Sequence, residues 1–282
     1  MSAQRHFEKF TDAGGSITAT FSLNQMVGNE EQAYNSPVQD VTTGDYPHRY
    51  LGMAPAKKAV RKIAVSFMIV TATSASDADD AVDNLFAACA RAGLGKLYTI
   101  DENGDERWCW AEVSGRPSVP IGNQNWQAQP VTTNFTGYSD WFGTALSTFT
   151  TTVTSGQSPK SDTWTNPGNA EMLLAITAAA LGSAGFSAGF SISNTTLPSE
   201  SVTTARASAS TSSRVEIDRK RQRVRYSPDA GANWVDDYNN ATKPPTKADW
   251  GISLDPGGNA MVFTVGGTPN VTFTGTGYPT WH

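Results

Sequence analysis

Short segments near the C-terminal end of this chain alternate polar and apolar residues, and each of them ends at a turn signal. Arg214–Asp218 and residues 224–226 show the period of two that is typical of strands with one buried face. Turn residues follow at 229–231 and again at 254–259, before an apolar segment at 261–263. This pattern predicts a β-sandwich of short antiparallel strands. Its few polar groups form no catalytic arrangement, so we expect a protein that binds or assembles.

The length and composition of the chain allow two domains. Its 282 residues, of which 38% are hydrophobic, are enough for one large core or two ordinary ones. Residues 143–165 are rich in Thr and Ser and contain few large apolar side chains after Phe149, which is typical of a domain boundary. We therefore predict a first domain at residues 1–142, a Thr/Ser-rich linker at 143–165 and a second domain at 166–282.

Two strands and a long connection are predicted at the start of the first domain. Residues 16–23 alternate between apolar and polar side chains. Residues 59–71 place four apolar side chains on one face, namely Ile63, Val65, Phe67 and Ile69. We expect this second strand to be central in the first sheet. Residues 24–57 show little periodicity, and a connection of that length is usually functional or ordered by a partner.

One α-helix follows in the sequence. Ser76 and Asp79 fit a helix N-terminus, where a Ser side chain caps the backbone and an acid complements the helix dipole. Gly93 is placed to end the helix. Between them, the three-and-four spacing of one buried face is formed by Val82, Leu85, Phe86 and Cys89. We expect this helix to cover the first sheet.

A hairpin is predicted after the helix. Residues 96–100 and 106–113 have strand character, and Asn103-Gly104 supplies the backbone freedom for a tight turn between them. Residues 124–133 are predicted as a further strand.

Segments with strand character recur through the second domain. They lie at residues 185–193, 201–207, 214–218, 224–227, 233–237, 260–265 and 271–274. Residues 171–180 are ambiguous, because their Ala and Leu content favours a helix. Met172, Leu174 and Ile176 nevertheless alternate as in a strand.

The charge balance of the chain argues against nucleic-acid binding. The formal net charge is −5, whereas a phosphate-binding groove needs surplus Lys and Arg. One basic stretch stands out, and it contains Arg219, Arg221, Arg223 and Arg225. In a strand pair these side chains line one exposed stripe while Val224 and Tyr226 face inward. We predict a solvated or subunit-contacting face there, and no nucleic-acid partner.

Cysteine usage and the absence of targeting signals are typical of a protein made in a cytoplasm. Cys89 and Cys109 are too few for a disulfide framework and match no zinc spacing, so we predict two small buried thiols. The N-terminal residues lack the apolar region of a signal peptide. Residues 170–190 are interrupted by glycines and serines, so we expect no membrane span.

No catalytic, cofactor or metal motif stands out. A nucleophile elbow, a phosphate-binding loop and a dinucleotide fingerprint are all missing from the sequence. Asp101, Asn103, Asp105 and Glu112 fall at calcium-loop positions, but Glu106 stands where such a loop needs Gly, and a plain hairpin turn is favoured. We predict no enzymatic activity, no cofactor and no metal.

Five aromatic residues of the second domain lie in or beside predicted loops: Trp234, Tyr238, Trp250, Tyr278 and Trp281. Flat aromatic rings there suit stacking on sugar rings, but packing in a core or a subunit interface is the commoner role of Trp. Trp234 and Trp250 join the four arginines as candidate interaction residues. A carbohydrate-binding module for host-surface glycans is therefore the alternative function.

The order of these motifs resembles the distal tail proteins of long non-contractile-tailed (siphovirus) bacteriophages. The resemblance runs through the strand at Ile63, the acidic-start helix and the hairpin at Asn103-Gly104. It continues through TNPGNA at 165–170, VEID at 215–218 and LDPGGN at 254–259. In that family the Asn-Xaa-Gly-Asn segment leads into a strand, so the resemblance implies a strand at 171–180.

The resemblance implies a structural role in the virion. Members of the family form a six-fold ring at the tail tip, in which the N-terminal domain closes the ring and joins the tail tube. Their C-terminal galectin-like sandwich projects outward toward hub, tip or receptor-binding proteins. The implied fold is mainly β (α+β), with a barrel or sheet and one covering helix in the first domain. No catalytic residue carries over from the family.

Overall fold

A computed structural model describes residues 6–21, 61–69, 74–100, 103–117, 129–181, 186–197, 200–208, 210–244 and 249–281. Within these residues the fold is mainly β, with antiparallel sheets and one α-helix, as the sequence predicted. The chain divides into two compact units between Thr144 and Ala145. Among the described residues, no helix is long and apolar enough to cross a membrane.

The first unit is built on one antiparallel sheet. Its strands are β1 (His6–Thr11), β2 (Ile17–Thr20), β3 (Arg61–Ile69), β4 (Gly95–Ile100), β5 (Glu106–Val113), β6 (Gln129–Gly137) and β7 (Trp141–Gly143). Six of them lie in the order β2-β1-β4-β5-β6-β3, and β7 pairs with β5. The predicted hairpin is confirmed as β4 and β5, and Gly104 in its turn has the positive φ of 85° that favours glycine.

The strand predicted at 59–71 is confirmed as β3, while its expected central position in the sheet stays a prediction. β3 has the predicted alternation, since Ile63 and Val65 are buried and Lys62 is exposed. It lies at the end of the strand order, however, and among the described strands it pairs only with β6. Alternation reports which face of a strand is buried and carries no information about its neighbours. The side chains of residues 66–69 and the connection at 24–57 lie outside the described residues.

The single described helix, α1 (Ala75–Ala92), begins two residues earlier than predicted. Ser74 is its cap, because the Ser74 hydroxyl oxygen accepts a hydrogen bond of 3.1 Å from the Asp77 backbone N–H. Gly93 ends the helix with a positive φ of 60°. Val82 and Cys89 are buried, as predicted. The helix contacts β2 and β5, so it covers part of this sheet.

The second unit is a β-sandwich. Its strands are β8 (Ser147–Thr154), β9 (Lys160–Asn166), β10 (Met172–Leu173), β11 (Ala175–Ala180), β12 (Phe190–Asn194), β13 (Glu200–Thr204), β14 (Arg214–Asp218), β15 (Arg223–Ser227), β16 (Val235–Asp236), β17 (Ala241–Thr242), β18 (Ser253–Leu254), β19 (Gly257–Val265), β20 (Asn270–Gly277) and β21 (Thr280–Trp281), with a 3-10 helix at Tyr238–Asn240. One sheet has the order β16-β15-β14-β11-β20-β8, and the other has the order β17-β13-β12-β19-β9. β10 pairs with β18.

Aromatic rings from both sheets meet in the sandwich core. The Phe263 ring centroid lies 4.8 Å from that of Phe273 and 5.2 Å from that of Trp164. Phe190 approaches Phe273 edge-on at 5.2 Å. β20 contributes Phe273, whereas the other three rings come from the five-stranded sheet. The core is thus shared between the two layers, as the predicted sandwich requires.

The Thr/Ser-rich segment 143–165 is not a linker, which corrects the predicted domain boundary. Most of it forms β8 and β9, two strands of the second unit. β8 pairs along its whole length with β20, and β9 pairs with β19. Threonine is a good strand former because its branched side chain packs well on a pleated sheet. A shortage of large apolar residues here therefore indicated a strand with one solvated face.

The strand implied at 171–180 is confirmed against its helix propensity. β11 pairs with β14 on one side and β20 on the other, so it is central in its sheet. Ile176, Ala178 and Ala180 are buried and the residues between them are half-buried. Burial between two neighbouring strands outweighs the modest helix preference of alanine.

Candidate interaction surfaces

An ion-pair network covers the outer face of β14 and β15. Arg225 stands directly opposite Glu216 in the strand register, and its Nε and Nη2 donate hydrogen bonds of 2.7 and 2.9 Å to the two Glu216 carboxylate oxygens. Arg223 donates from Nε to the same carboxylate at 3.2 Å. Partial burial would raise the pKa of Glu216, but the hydrogen bond and charge of Arg225, with help from Arg223, hold that pKa below its ordinary value.

Trp234 completes this network. The Arg225 guanidinium carbon lies 4.5 Å from the Trp234 ring centroid, a cation–π distance. Arg225 thus bonds to Glu216 with its donors while one of its faces lies over the indole. Two of the predicted interaction residues are therefore brought together, with a carboxylate that sequence reasoning missed.

The predicted stripe of four arginines does not form. Residues 219–222 make a turn between β14 and β15, so strand alternation does not extend through them. Arg221 is exposed and pairs with Asp218 at 3.1 Å. Arg219 is only 4% exposed, which contradicts its predicted place on an exposed stripe.

Arg219 lies among three carboxylates. Its guanidinium nitrogens are 3.4 Å from Asp249, 3.6 Å from Glu200 and 3.9 Å from Glu171. Glu200 is itself buried, and it accepts a hydrogen bond of 2.7 Å from the Ser253 hydroxyl. Since a buried carboxylate needs a charged partner, Arg219 compensates the charge of Glu200, whereas Glu171 and Asp249 are only partly buried.

Trp250 packs against the sandwich core. Its ring lies 5.6 Å from that of Tyr238, and the Lys243 ammonium lies 5.6 Å from its centroid. The Trp250 backbone N–H donates to the Gln222 side-chain oxygen at 2.8 Å. The predicted pair of Trp234 and Trp250 is therefore divided between two separate clusters, one with Arg225 and one with Tyr238.

The LDPGGN segment is organised by buried asparagines. The Asn259 side chain donates to the Asp255 carbonyl at 2.8 Å and accepts from the Asp255 backbone N–H at 3.0 Å. It also accepts from the Asn194 side chain at 3.0 Å, and Asn194 donates to the Ser253 carbonyl at 2.8 Å. These bonds tie the turn to β12 and β18, which explains the motif as a structural one.

An aromatic–lysine patch, formed by Lys96, Tyr98, Trp108 and Trp110, lies on one face of β4 and β5 in the first unit, where Trp108 is buried and the other three residues are half-buried. The Lys96 ammonium is 5.0 Å from the Trp108 ring centroid and 5.7 Å from that of Trp110. Both tryptophans stand in register with residues of β4, Trp110 with Lys96 and Trp108 with Tyr98. Sequence reasoning missed this patch, although the alternation Trp-Cys-Trp at 108–110 placed both indoles on one face.

No group of three or more His, Cys, Asp or Glu side chains among the described residues is arranged to hold a metal ion. Cys89 and Cys109 are both buried, as predicted. Burial raises the pKa of the Cys89 thiol to about 11.

The sequence itself matches no protein-family model and gives no significant match among curated proteins. The fold is similar to the crystal structure of the SPP1 Dit (gp 19.1) protein, described as a paradigm of hub adsorption apparatus in Gram-positive infecting phages. That similarity covers 97% of each chain with a TM-score of 0.57 and 12% identity. The phage P2 baseplate in its activated conformation with Ca matches over 76% of this chain and 78% of that one, with 6% identity, but its TM-score of 0.35 supports no argument. The resemblance to distal tail proteins is thus confirmed at the level of the fold, and this chain has the fold of SPP1 Dit over nearly its whole length.

Proposed function

We propose that this chain is a structural hub subunit at the distal end of a phage tail, where six copies form a ring. The observation that carries this proposal is the similarity of the fold to that of SPP1 Dit, which covers 97% of both chains. The similarity therefore includes both units of this chain and is not limited to one domain. In this role the protein belongs to the virion and links the tail tube to tip or receptor-binding components. Its synthesis takes place in the cytoplasm of the host bacterium.

The sheet of the first unit supports ring formation. Among the described strands, its terminal strands β2 and β3 each pair on one side only. β3 is nine residues long, and among the described strands one of its edges has no partner; a long edge of this kind favours association with another chain. A closed ring satisfies such edges without growth into fibres. We assign the ring contacts and the tail-tube junction to this unit. It ends at residue 144 in the structure, two residues after the predicted boundary at 142.

We assign the outward position to the sandwich, where it meets other tail proteins. Its ion pairs support a protein-contacting or solvated face. All four predicted arginines have carboxylate partners, so none of them is free to neutralise a phosphate.

The glycan-binding alternative stays a prediction without a supporting observation. Arg225 covers one face of the Trp234 ring, and Trp250 is packed against the core. A sugar-stacking site needs an open aromatic face.

Negative-stain electron microscopy of the purified protein tests the proposal, which predicts six-fold particles with a central opening. Ile17 on edge strand β2 is 65% exposed, and Leu181 in the second unit is 48% exposed. The variant Ile17→Asp should reduce the fraction of rings, whereas the matched variant Leu181→Asp should leave rings intact. Rings that persist in Ile17→Asp and vanish in Leu181→Asp would reverse the assignment of the two units.

A further inference from the structure

We propose that Asn103, at the tip of the β4–β5 hairpin, is a site of spontaneous deamidation. In this reaction an asparagine side chain is converted to aspartate or isoaspartate, so the tip acquires a negative charge after synthesis. The reaction consumes only a water molecule and needs neither an enzyme nor a partner chain. The site is therefore independent of the proposed ring.

Asn103 is followed by glycine, and this is the only Asn-Gly pair in the chain. Asparagine is one of the thermolabile residues of proteins. Its deamidation begins when the backbone nitrogen of the next residue attacks the side-chain carbonyl carbon. A side chain on that next residue crowds the approach, whereas glycine has no Cβ and tolerates the unusual backbone angles that ring closure needs. The sequence therefore hinders this reaction least at Asn103.

The structure places the Asn-Gly pair beyond the paired part of the hairpin. The last residues in register between β4 and β5 are Ile100 and Glu106, so residues 101–105 connect the two strands. Asn103 and Gly104 are both exposed in this connection. Because the pair lies beyond the end of the ladder, its backbone can change conformation while the strand register stays in place.

Gly104 leaves room for the attack. Its φ is 85°, in the left-handed region that glycine enters without strain. A Cβ at this position would lie at least 4 Å from every heavy atom of the described residues other than its chain neighbours. The described residues therefore leave space beside Gly104 for the Asn103 side chain and for water.

Other asparagines lack this combination of exposure and a following glycine. Asn194 and Asn259 are buried, and their side chains donate hydrogen bonds of 2.8 Å to backbone carbonyls. Asn239 is exposed, but it lies in the 3-10 helix and is followed by Asn240. Burial or the following side chain slows the reaction at these positions, so Asn103 should react first.

The reaction has two steps. The Gly104 nitrogen loses its proton and forms a bond to Asn103 Cγ, while the side-chain nitrogen takes up that proton and leaves as ammonia. One water molecule then opens the cyclic succinimide at either of its two carbonyls. One opening gives aspartate and the other gives isoaspartate, in which the main chain runs through the former side-chain carbon. Each product carries one more negative charge than asparagine.

The new charge makes the hairpin tip more acidic. Asp105 is exposed next to the pair, and Glu106, at the end of the ladder, is already paired with Lys9. Since the conversion takes place beyond the ladder, β4 and β5 should remain paired and the aged protein should remain folded.

Ageing of the purified full chain in a mildly alkaline buffer tests the site. Isoelectric focusing should show a band that is one charge more acidic and grows with time. Peptide mass spectrometry after ageing in water labelled with a heavy oxygen isotope should place the label at Asn103. The variant Asn103→Gln should lose the acidic band, whereas the matched variant Asn239→Gln should keep it, because Asn239 is also exposed but precedes no glycine.

Peptide maps of the wild-type chain decide the outcome without any variant. Conversion of Asn103 before any other asparagine in the folded protein supports the proposal. Conversion of another asparagine first, or an acidic band of the same intensity in Asn103→Gln, would overturn it. Conversion of Asn103 only after unfolding in urea would also overturn it, because the folded hairpin would then protect the pair.

Discussion

Arg225 and Glu216 face each other across the β14–β15 ladder, and the guanidinium donates two hydrogen bonds to the two oxygens of the carboxylate. Arg223 shares the carboxylate, and Trp234 lies over Arg225. A single acidic residue therefore pairs with two of the four arginines of the predicted stripe, and one of these two, Arg225, also contacts Trp234. The charges of these two arginines are neutralised by a carboxylate of their own chain.

Replacing Glu216 by Gln should destabilise the protein by about 1–2 kcal/mol, because charge-assisted hydrogen bonds from two arginines are weakened in a half-buried setting. The midpoint of urea denaturation measures this change. Asp80→Asn is the control, since Asp80 is exposed on α1 and has no ion-pair partner among the described residues. Equal losses in the two variants would contradict the account of the network.

The effect of Glu216→Gln should depend on pH with a definite sign. The Glu216 pKa is held below its ordinary value of 4.5, so the extra stability is present above that pH and is lost as the pH falls through the lowered folded-state pKa. The stability difference between wild type and Glu216→Gln should thus be constant near neutral pH and shrink below pH 4.5. Denaturation series at several pH values test this, and a difference that grows on acidification would refute it.

Asn259→Ala should cost about 3 kcal/mol, because it removes one hydrogen-bond acceptor of the Asn194 side chain and the side-chain partner of both Asp255 backbone groups. Thermal and urea denaturation measure the loss. Asn239→Ala is the matched control, since Asn239 is exposed in the 3-10 helix. A loss no larger than that of the control would mean that the LDPGGN turn does not hold the sandwich ends together.

Arg219→Met should destabilise the second unit by about 3 kcal/mol, because it leaves Glu200 buried without its cation. The double variant Arg219→Met with Glu200→Gln should recover at least half of that loss, since the unpaired buried charge is then removed. A double variant that is less stable than Arg219→Met alone would show that Glu200 is stabilised by its Ser253 hydrogen bonds and not by Arg219.

The alternation of apolar and polar residues predicts the strands well where one face of the strand is buried and the other is exposed to solvent. Arg214–Asp218 was predicted with the bounds that the structure gives, because its alternation is unbroken. The predicted start of the helix differs from the observed start by only two residues. Ser74 and Ser76 both suit a helix cap in sequence, and only the backbone geometry shows which of them is the cap.

The sequence-based predictions fail where contacts between distant segments of the chain determine the structure. Nothing in the sequence of β3 indicates its place in the strand order, and Thr-rich β8 resembles a linker in sequence because its buried residues after Phe149, namely Thr151 and Val153, are small or polar. Arg219 was placed on the surface because strand alternation was extended through a turn. Its burial depends on Glu200, which is close only after the two sheets have packed.

The six-copy ring is the central claim, and native mass spectrometry of the purified chain tests it most directly. The proposal predicts a dominant species at six times the 30.1 kDa mass of one chain. A monomer that persists at the highest accessible protein concentration would contradict it.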